Sequence, residues 1–288
     1  MTYFNDTKKR QLEIVERLLR LLPFNSPLRR KIDCCETDSL GYYYTCRQPA
    51  CYRCRQRYIR RQSRAAIDRF GRCAKSDLAF FTVVLGGAEH PEEIGDLIAR
   101  ARSTLRNVFT KHRAQRKRWA DVELVGWFEI DALGADDAPL LGQERADLIS
   151  DLGIRLVDDR PTYIPTIHGI VGLNGLDHQQ FRDALAEKWP AARQVDVRPF
   201  YDHASKDKSI SCIVRYALKR TCTSFLKGID VAWPDSWLIE FETWQFHHSR
   251  SFQSMKVSVG RKKPVSHRIS FEITNTELDE LEPMPFTC

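Results

Sequence analysis

Apolar positions along this chain recur with periods that sort it into helices and strands. Leu12, Ile14, Val15, Leu18, Leu19, Leu21 and Leu22 predict a helix over 8–22, closed by the Pro and Ser of LLPFNSP. A basic helix is predicted from about Arg57 to Cys73. LAFFTVVL (78–85) is an apolar run of strand length that Gly86-Gly87 ends. His90-Pro91 opens a long helix to about His112, and ELVGWFEI (123–130) reads as a second strand. Residues 131–160 look acidic and irregular, with a short helix near 144–152. YIPTIHGIV (163–171) is a third strand, followed by a helix from about Asp177 to Trp189. QVDVRPFY (194–201) alternates as a fourth strand, and ISCIVRYALKR (210–220) is an amphipathic helix. In the tail, Trp237, Leu238, Phe241 and Trp244 predict a core-facing helix. GRKKP (260–264) reads as a basic loop and ELDELE (277–282) as a solvated acidic stretch.

Strand, helix, strand, strand, helix, strand is the order of a split βαβ, or ferredoxin-like, unit. The expected fold class is α+β: an antiparallel sheet layered with helices, preceded by a small Cys-rich module. The expected division is 1–75 for the N-terminal helix and cysteine module, 76–225 for the sheet domain, and 226–288 for a helical and basic extension. No repeat or low-complexity tract interrupts it.

Hydrophobic residues make up 42% of 288, enough for a packed core. No apolar run approaches the ~18 residues that span a bilayer. Glu13 and Glu16 break the apolar face of the first helix, which is not the pattern of a signal peptide. The expectation is a soluble, cytoplasmic protein. Net charge is +7, and residues 1–75 carry eighteen Lys/Arg against seven Asp/Glu. Such an uneven distribution points to a polyanion partner for the N-terminal part, with nucleic acid favoured.

Five of nine cysteines fall between 34 and 54. An odd total with no secretory signal argues against a disulfide framework. Thiolates in two close groups suit tetrahedral, structural zinc. Cys51 and Cys54 form the knuckle; Cys46 and Cys35 complete the set, with adjacent Cys34 the alternative. Arg47, Arg53, Arg55, Arg57, Arg60 and Arg61 surround the knuckle and gain from it a platform for reaching phosphates.

Strand alternation puts Thr166 and His168 on one face of the third strand. Glu129 of WFEID converges on His168 if the two strands are neighbours, with Asp131 as the same-face alternative. A carboxylate with an imidazole suits Mg²⁺ or Mn²⁺. On the later helix, Ile210, Ile213, Val214, Ala217 and Leu218 form the apolar stripe. Tyr216 lies about 130° from its centre, on the solvent side, with Lys219 beside it.

Together, C-RQPA-C-YR-C, FFTVVL, GWFEI, YIPTIHGIV and IVRYALK, in that order, resemble the rolling-circle replication initiators of small plasmids, in the HUH-endonuclease superfamily. The resemblance covers roughly Cys35 to Thr221. It implies an HUH-type sheet, a catalytic Mg²⁺ or Mn²⁺, and origin DNA, single-stranded or hairpin, as partner, with a host helicase or polymerase recruited. It implies that His168 matches the second histidine of the pair, Glu129 the acidic ligand, Tyr216 the nucleophile and Lys219 the helix lysine. The activity implied is nicking through a 5′-phosphotyrosine that leaves a priming 3′-OH. Thr166 departs from the pattern, standing where the first histidine is expected. Two alternatives follow: a DNA-binding regulator whose catalysis has lapsed, or a transposase-type strand transferase.

Overall fold

The computed structural model describes residues 2–33, 35, 45–200, 203–219, 222–227, 229–248 and 251–260. The chain runs α1 (Thr2–Leu21), α2 (Pro27–Asp33), α3 (Tyr52–Phe70), β1 (Leu78–Val84), α4 (Pro91–Gln115), β2 (Glu123–Leu133), α5 (Gln143–Asp151) and β3 (Thr162–Gly172). It continues through α6 (His178–Ala186), β4 (Val195–Pro199), α7 (Lys206–Ala217), β5 (Thr223–Leu226), β6 (Ile229–Ala232), α8 (Asp235–His248) and β7 (Lys256–Val259). The basic loop after Gly260 and the acidic stretch expected at 277–282 lie outside the described residues.

The fold is α+β. Five strands form one antiparallel sheet in the order β4-β1-β3-β2-β7, and β5 and β6 form a separate hairpin. The strand carrying His168 is therefore central, between β1 and β2. Helices cover both faces. Phe81, Val83, Phe128, Ile167 and Val171 face a core shared with α4, α6 and α8. Phe80, Trp127 and Ile170 face the opposite way, onto Tyr58 and Ala66 of α3 and Ile213 and Val214 of α7. Burying both faces explains why β1 and β3 read as near-continuous apolar runs instead of alternating ones.

The first and last segments share the core of the sheet. Leu18 of α1, Leu28 and Ile32 of α2, and Leu238, Phe241 and Trp244 of α8 belong to the same buried cluster as Phe81. Among the described residues no helix is long and apolar enough to cross a membrane.

Several elements are longer than their patterns predict. β2 continues through Asp131 to Leu133, because its partner β3 offers matching backbone from Thr162 onward. α3 begins at Tyr52, so the second half of the cysteine knuckle is helical. Polar side chains cap α6 and α7. Asp177 accepts from the amides of Gln179 and Gln180 at the head of α6, and Ser205 accepts from Lys208 at the head of α7. The Lys206 ammonium donates to the carbonyls of Gly71 (2.7 Å) and Cys73 (3.1 Å), just past the end of α3. The start of α7 thus meets the end of α3, and the two packed helices run antiparallel.

Gly169, next to His168, is there for space. It pairs across the sheet with Gly126, and the Phe81 ring lies over both. A Cβ on Gly169 would fall 2.5 Å from Phe81 Cε1 and from the Val125 carbonyl oxygen. Gly169→Ala is expected to cost about 1–3 kcal/mol through overpacking, read as a lowered denaturant midpoint with an unchanged m-value.

Candidate functional site

His168 is buried at the centre of the sheet, under the C-terminal end of α7. Its ring is held on every side. Phe80 of β1 stacks parallel to it at 5.9 Å. Nε2 lies 2.9 Å from Glu129 Oε2, and Nδ1 lies 3.0 Å from Thr82 Oγ1. An ionised carboxylate only accepts, so Nε2 carries hydrogen and donates to Glu129. In the neutral ring Nδ1 then accepts from the Thr82 hydroxyl. The register explains this meeting. Glu129 sits opposite Thr166 and Trp127 opposite His168, so Glu129 reaches the imidazole diagonally on the same face.

Tyr216 completes the group. Its ring meets the His168 imidazole edge-on at 5.0 Å and the Phe80 ring edge-on at 6.2 Å. The expectation of a solvent-side tyrosine therefore needs correction. Tyr216 is half-buried, because Phe80 and His168 extend the apolar surface beyond the aliphatic stripe of α7. After α7 ends, the Lys219 amide donates to the Tyr216 carbonyl at 3.1 Å. That turn folds Lys219 back over the ring. Its Nζ lies 4.0 Å from the Tyr216 ring centroid and 3.7 Å from Glu129 Oε1. The ammonium thus sits between the face of the Tyr216 ring and the Glu129 carboxylate.

Burial works to raise the pKa of Glu129, but the Lys219 ammonium, the His168 hydrogen bond and the charge of Arg145 outweigh it and hold the carboxyl below its ordinary value. Burial pushes Asp131 the other way, up, helped by the nearby Glu129 charge and opposed by Arg145. Asp131 points to the same face but is committed elsewhere. It pairs with the Arg145 guanidinium of α5 and accepts from the amide of Ala132 at 2.9 Å. Asp131, expected as a divalent-metal ligand, is thus paired with a cation of the protein.

The donor set does not fit a resident Mg²⁺ or Mn²⁺. Such ions take about six ligands, mostly oxygen. Here the one imidazole has both nitrogens engaged, and each of the two carboxylates is matched by a cation, Lys219 or Arg145. Thr166, beside them on β3, adds only a neutral hydroxyl.

The cysteines tell a different story. Cys35, Cys46, Cys51 and Cys54 bring their sulfurs within 4.8 Å of one another, the one such metal-sized group among the described residues. Cys35–Cys54 and Cys46–Cys54 are 3.4 and 3.5 Å apart. Tetrahedral Zn–S bonds of about 2.3 Å put sulfurs about 3.8 Å apart, so the set is sized for zinc or a similar ion. Cys35 follows the end of α2, its amide donating to the Ile32 carbonyl at 3.0 Å. Cys51 immediately precedes α3 and Cys54 lies in its first turn, where the positive helix end favours thiolates. The left-handed Arg47 (φ 55°) turns the chain between Cys46 and the helix. Hydrogen bonds from Cys46 and Cys51 pull the Cys54 thiol far down, while hydrogen bonds with Cys51 and Cys54 push Cys46 up. Cys34 lies outside the described residues.

The arginines divide. Arg47, Arg53, Arg57, Arg60 and Arg61 are exposed, and the last four, with Arg64, recur at helical spacing along one face of α3. Arg55 is only 3% exposed and cannot meet a phosphate, which corrects the expectation for it. It shares the inward stripe of Cys51, Cys54, Tyr58 and Ile59. Sequence reasoning missed Thr82, Phe80 and Arg145, whose roles depend on strand neighbours far away in the chain.

Replacing Cys54 with Ser is expected to lower bound zinc from about one ion per chain and to reduce the thermal midpoint, checked by elemental analysis and calorimetry. For Glu129 the sign follows from a lowered folded pKa. Its stabilising contribution is fully present above the unfolded value of about 4.3 and is lost as pH falls through the folded value. Glu129→Gln should therefore flatten the acid limb of the stability–pH curve relative to wild type. No protein-family model matches this chain, and comparison with curated proteins and with solved structures finds no match.

Proposed function

We propose that this chain is a DNA-binding protein that cleaves single strands through Tyr216, in the manner of a rolling-circle replication initiator. The observation that carries this reading is the meeting of Tyr216, His168, Glu129 and Lys219, residues 129 to 219 in sequence, at one end of α7. The strand order β4-β1-β3-β2, with α4 and α6 as the crossovers, is that of a ferredoxin-like unit and supports an HUH-type fold. The arginine face of α3 supplies the polyanion surface. Because α3 and α7 run antiparallel, the cysteine end of α3 lies toward the Tyr216 end of α7. A strand laid along the arginines is thereby led to the phenol. Zinc held by Cys35, Cys46, Cys51 and Cys54 fixes that end of α3 as a rigid guide.

In this reading, the phenolic oxygen of Tyr216 attacks a phosphodiester. A phenol with a pKa near 10 is weakly nucleophilic at neutral pH, so a nearby cation must favour the phenolate or the charge gathering on phosphorus. Lys219 sits where it serves both ends, over the ring and beside Glu129. Glu129 positions Lys219, and His168, fixed by Thr82, positions Glu129. The product is a 5′-phosphotyrosine and a free 3′-OH.

A second reading, a DNA-binding protein without turnover, is favoured by Thr166 and by the full engagement of the His168 nitrogens. One experiment separates the two. The full chain is incubated with a pool of randomised single-stranded oligonucleotides, with and without Mn²⁺, and denatured products are resolved for protein–DNA adducts. Wild type is expected to form an adduct mapping by mass spectrometry to Tyr216. Tyr216→Phe should lose it while retaining salt-sensitive DNA binding. DNA binding with no adduct in any condition selects the second reading.

A further inference from the structure

We infer that this site performs strand cleavage without a divalent cation, the Lys219 ammonium taking the electrostatic role at the scissile phosphodiester. The inference rests on the tyrosine-nucleophile reading above and states what drives that site.

Charge balance is the first ground. Glu129 and Asp131 stand two residues apart on one strand face, the usual invitation to a divalent ion. Each already has a protein cation: Lys219 at 3.7 Å from Glu129, and Arg145 on Asp131. An added divalent ion would enter against the Lys219 charge and displace it from its carboxylate. Ring geometry is the second ground. With Nε2–H donating to Glu129 and Nδ1 bonded to Thr82, the imidazole offers a metal no spare lone pair. Binding would require Nε2 to shed its proton and the Glu129 hydrogen bond to break. The third ground is placement. Lys219 lies over the Tyr216 ring and beside Glu129, which makes it a protein cation in direct contact with the proposed nucleophile's ring. A fixed charge aimed at the developing charge costs no reorganisation during reaction.

The step balances without a metal. The bond from phosphorus to the leaving 3′-oxygen breaks as the bond to the Tyr216 oxygen forms. The phenol gives up one proton to solvent, and the leaving 3′-oxygen takes one from solvent, the Lys219 charge staying in place throughout. No oxidant or reductant takes part.

The test uses the zinc-loaded full chain passed over a chelating resin until elemental analysis finds only the zinc of the cysteine module. Adduct formation with the randomised single-strand pool is measured with no added metal, with Mg²⁺ and with Mn²⁺. The expected result is a metal-free yield within about twofold of the Mn²⁺ yield. Lys219→Met should lower the metal-free yield by about tenfold or more, with Lys219→Arg retaining most of it. In parallel, Mn²⁺ titration of wild type followed by electron paramagnetic resonance should find no stoichiometric site. An adduct that forms only with Mg²⁺ or Mn²⁺, a stoichiometric Mn²⁺ site, or full metal-free activity in Lys219→Met overturns the inference and leaves the tyrosine reading standing. Absence of an adduct in every arm removes both.

Discussion

Antiparallel pairing of β2 with β3 sets Glu129 opposite Thr166 and Trp127 opposite His168, and the chemistry of the site depends on that register. A slip of one residue would turn Glu129 into the apolar layer under α4 and leave the imidazole without its acceptor. The register is well protected. Phe128 and Ile167 face one core, Trp127 and Ile170 the other, so any slip exchanges large side chains for polar ones on both faces at once. The fit of Phe81 over Gly126 and Gly169 adds a steric lock at the same height. Stability and site geometry are therefore specified by the same packing.

A chain of contacts runs outward from that register. Thr82 holds His168, His168 holds Glu129, Glu129 holds Lys219, and Lys219 lies over Tyr216. Each link joins a different element: β1, β3, β2 and the turn after α7. Hydrogen bonds between partly buried groups are electrostatically stronger than in water, and a group left unpaired there is correspondingly costly. The arrangement thus resists rearrangement even though it contains two charges and a histidine. Asp131 and Arg145 form a second, neighbouring pair that draws α5 onto the end of β2.

Much of this was legible in the sequence. The apolar runs give the strands at 78 and 163, and alternation gives the shared face of Thr166 and His168, because both signals are local. The tight Cys51–Cys54 spacing gives the metal-sized cluster for the same reason. The convergence of Glu129 on His168 was readable only conditionally, since no local pattern says which strands are neighbours. A helical wheel puts Tyr216 on the solvent side because it counts only the residues of its own helix; the surface that half-buries it belongs to β1 and β3. Thr82 and Arg145 carry no local signal at all. Arg55 is different. Its place at helical spacing from Ile59 and Gln62 marked it as inward, but taking the helix to begin at Arg57 hid the pattern.

The same contrast separates the two candidate ion sites. At the cysteines, the four sulfurs are crowded together, and their mutual hydrogen bonds force one thiol far down and another up. Such crowding is relieved when a cation replaces the shared protons, so the geometry is suited to an ion. At Glu129 and His168, hydrogens and ammonium groups already fill that role, and the carboxyl is held ionised by Lys219, His168 and Arg145 against the pull of burial. Ligand residue types alone would place a cation in both. The distribution of protons and partner charges suits a cation at the first, while at the second Glu129 is already paired with Lys219, which lies over the Tyr216 ring.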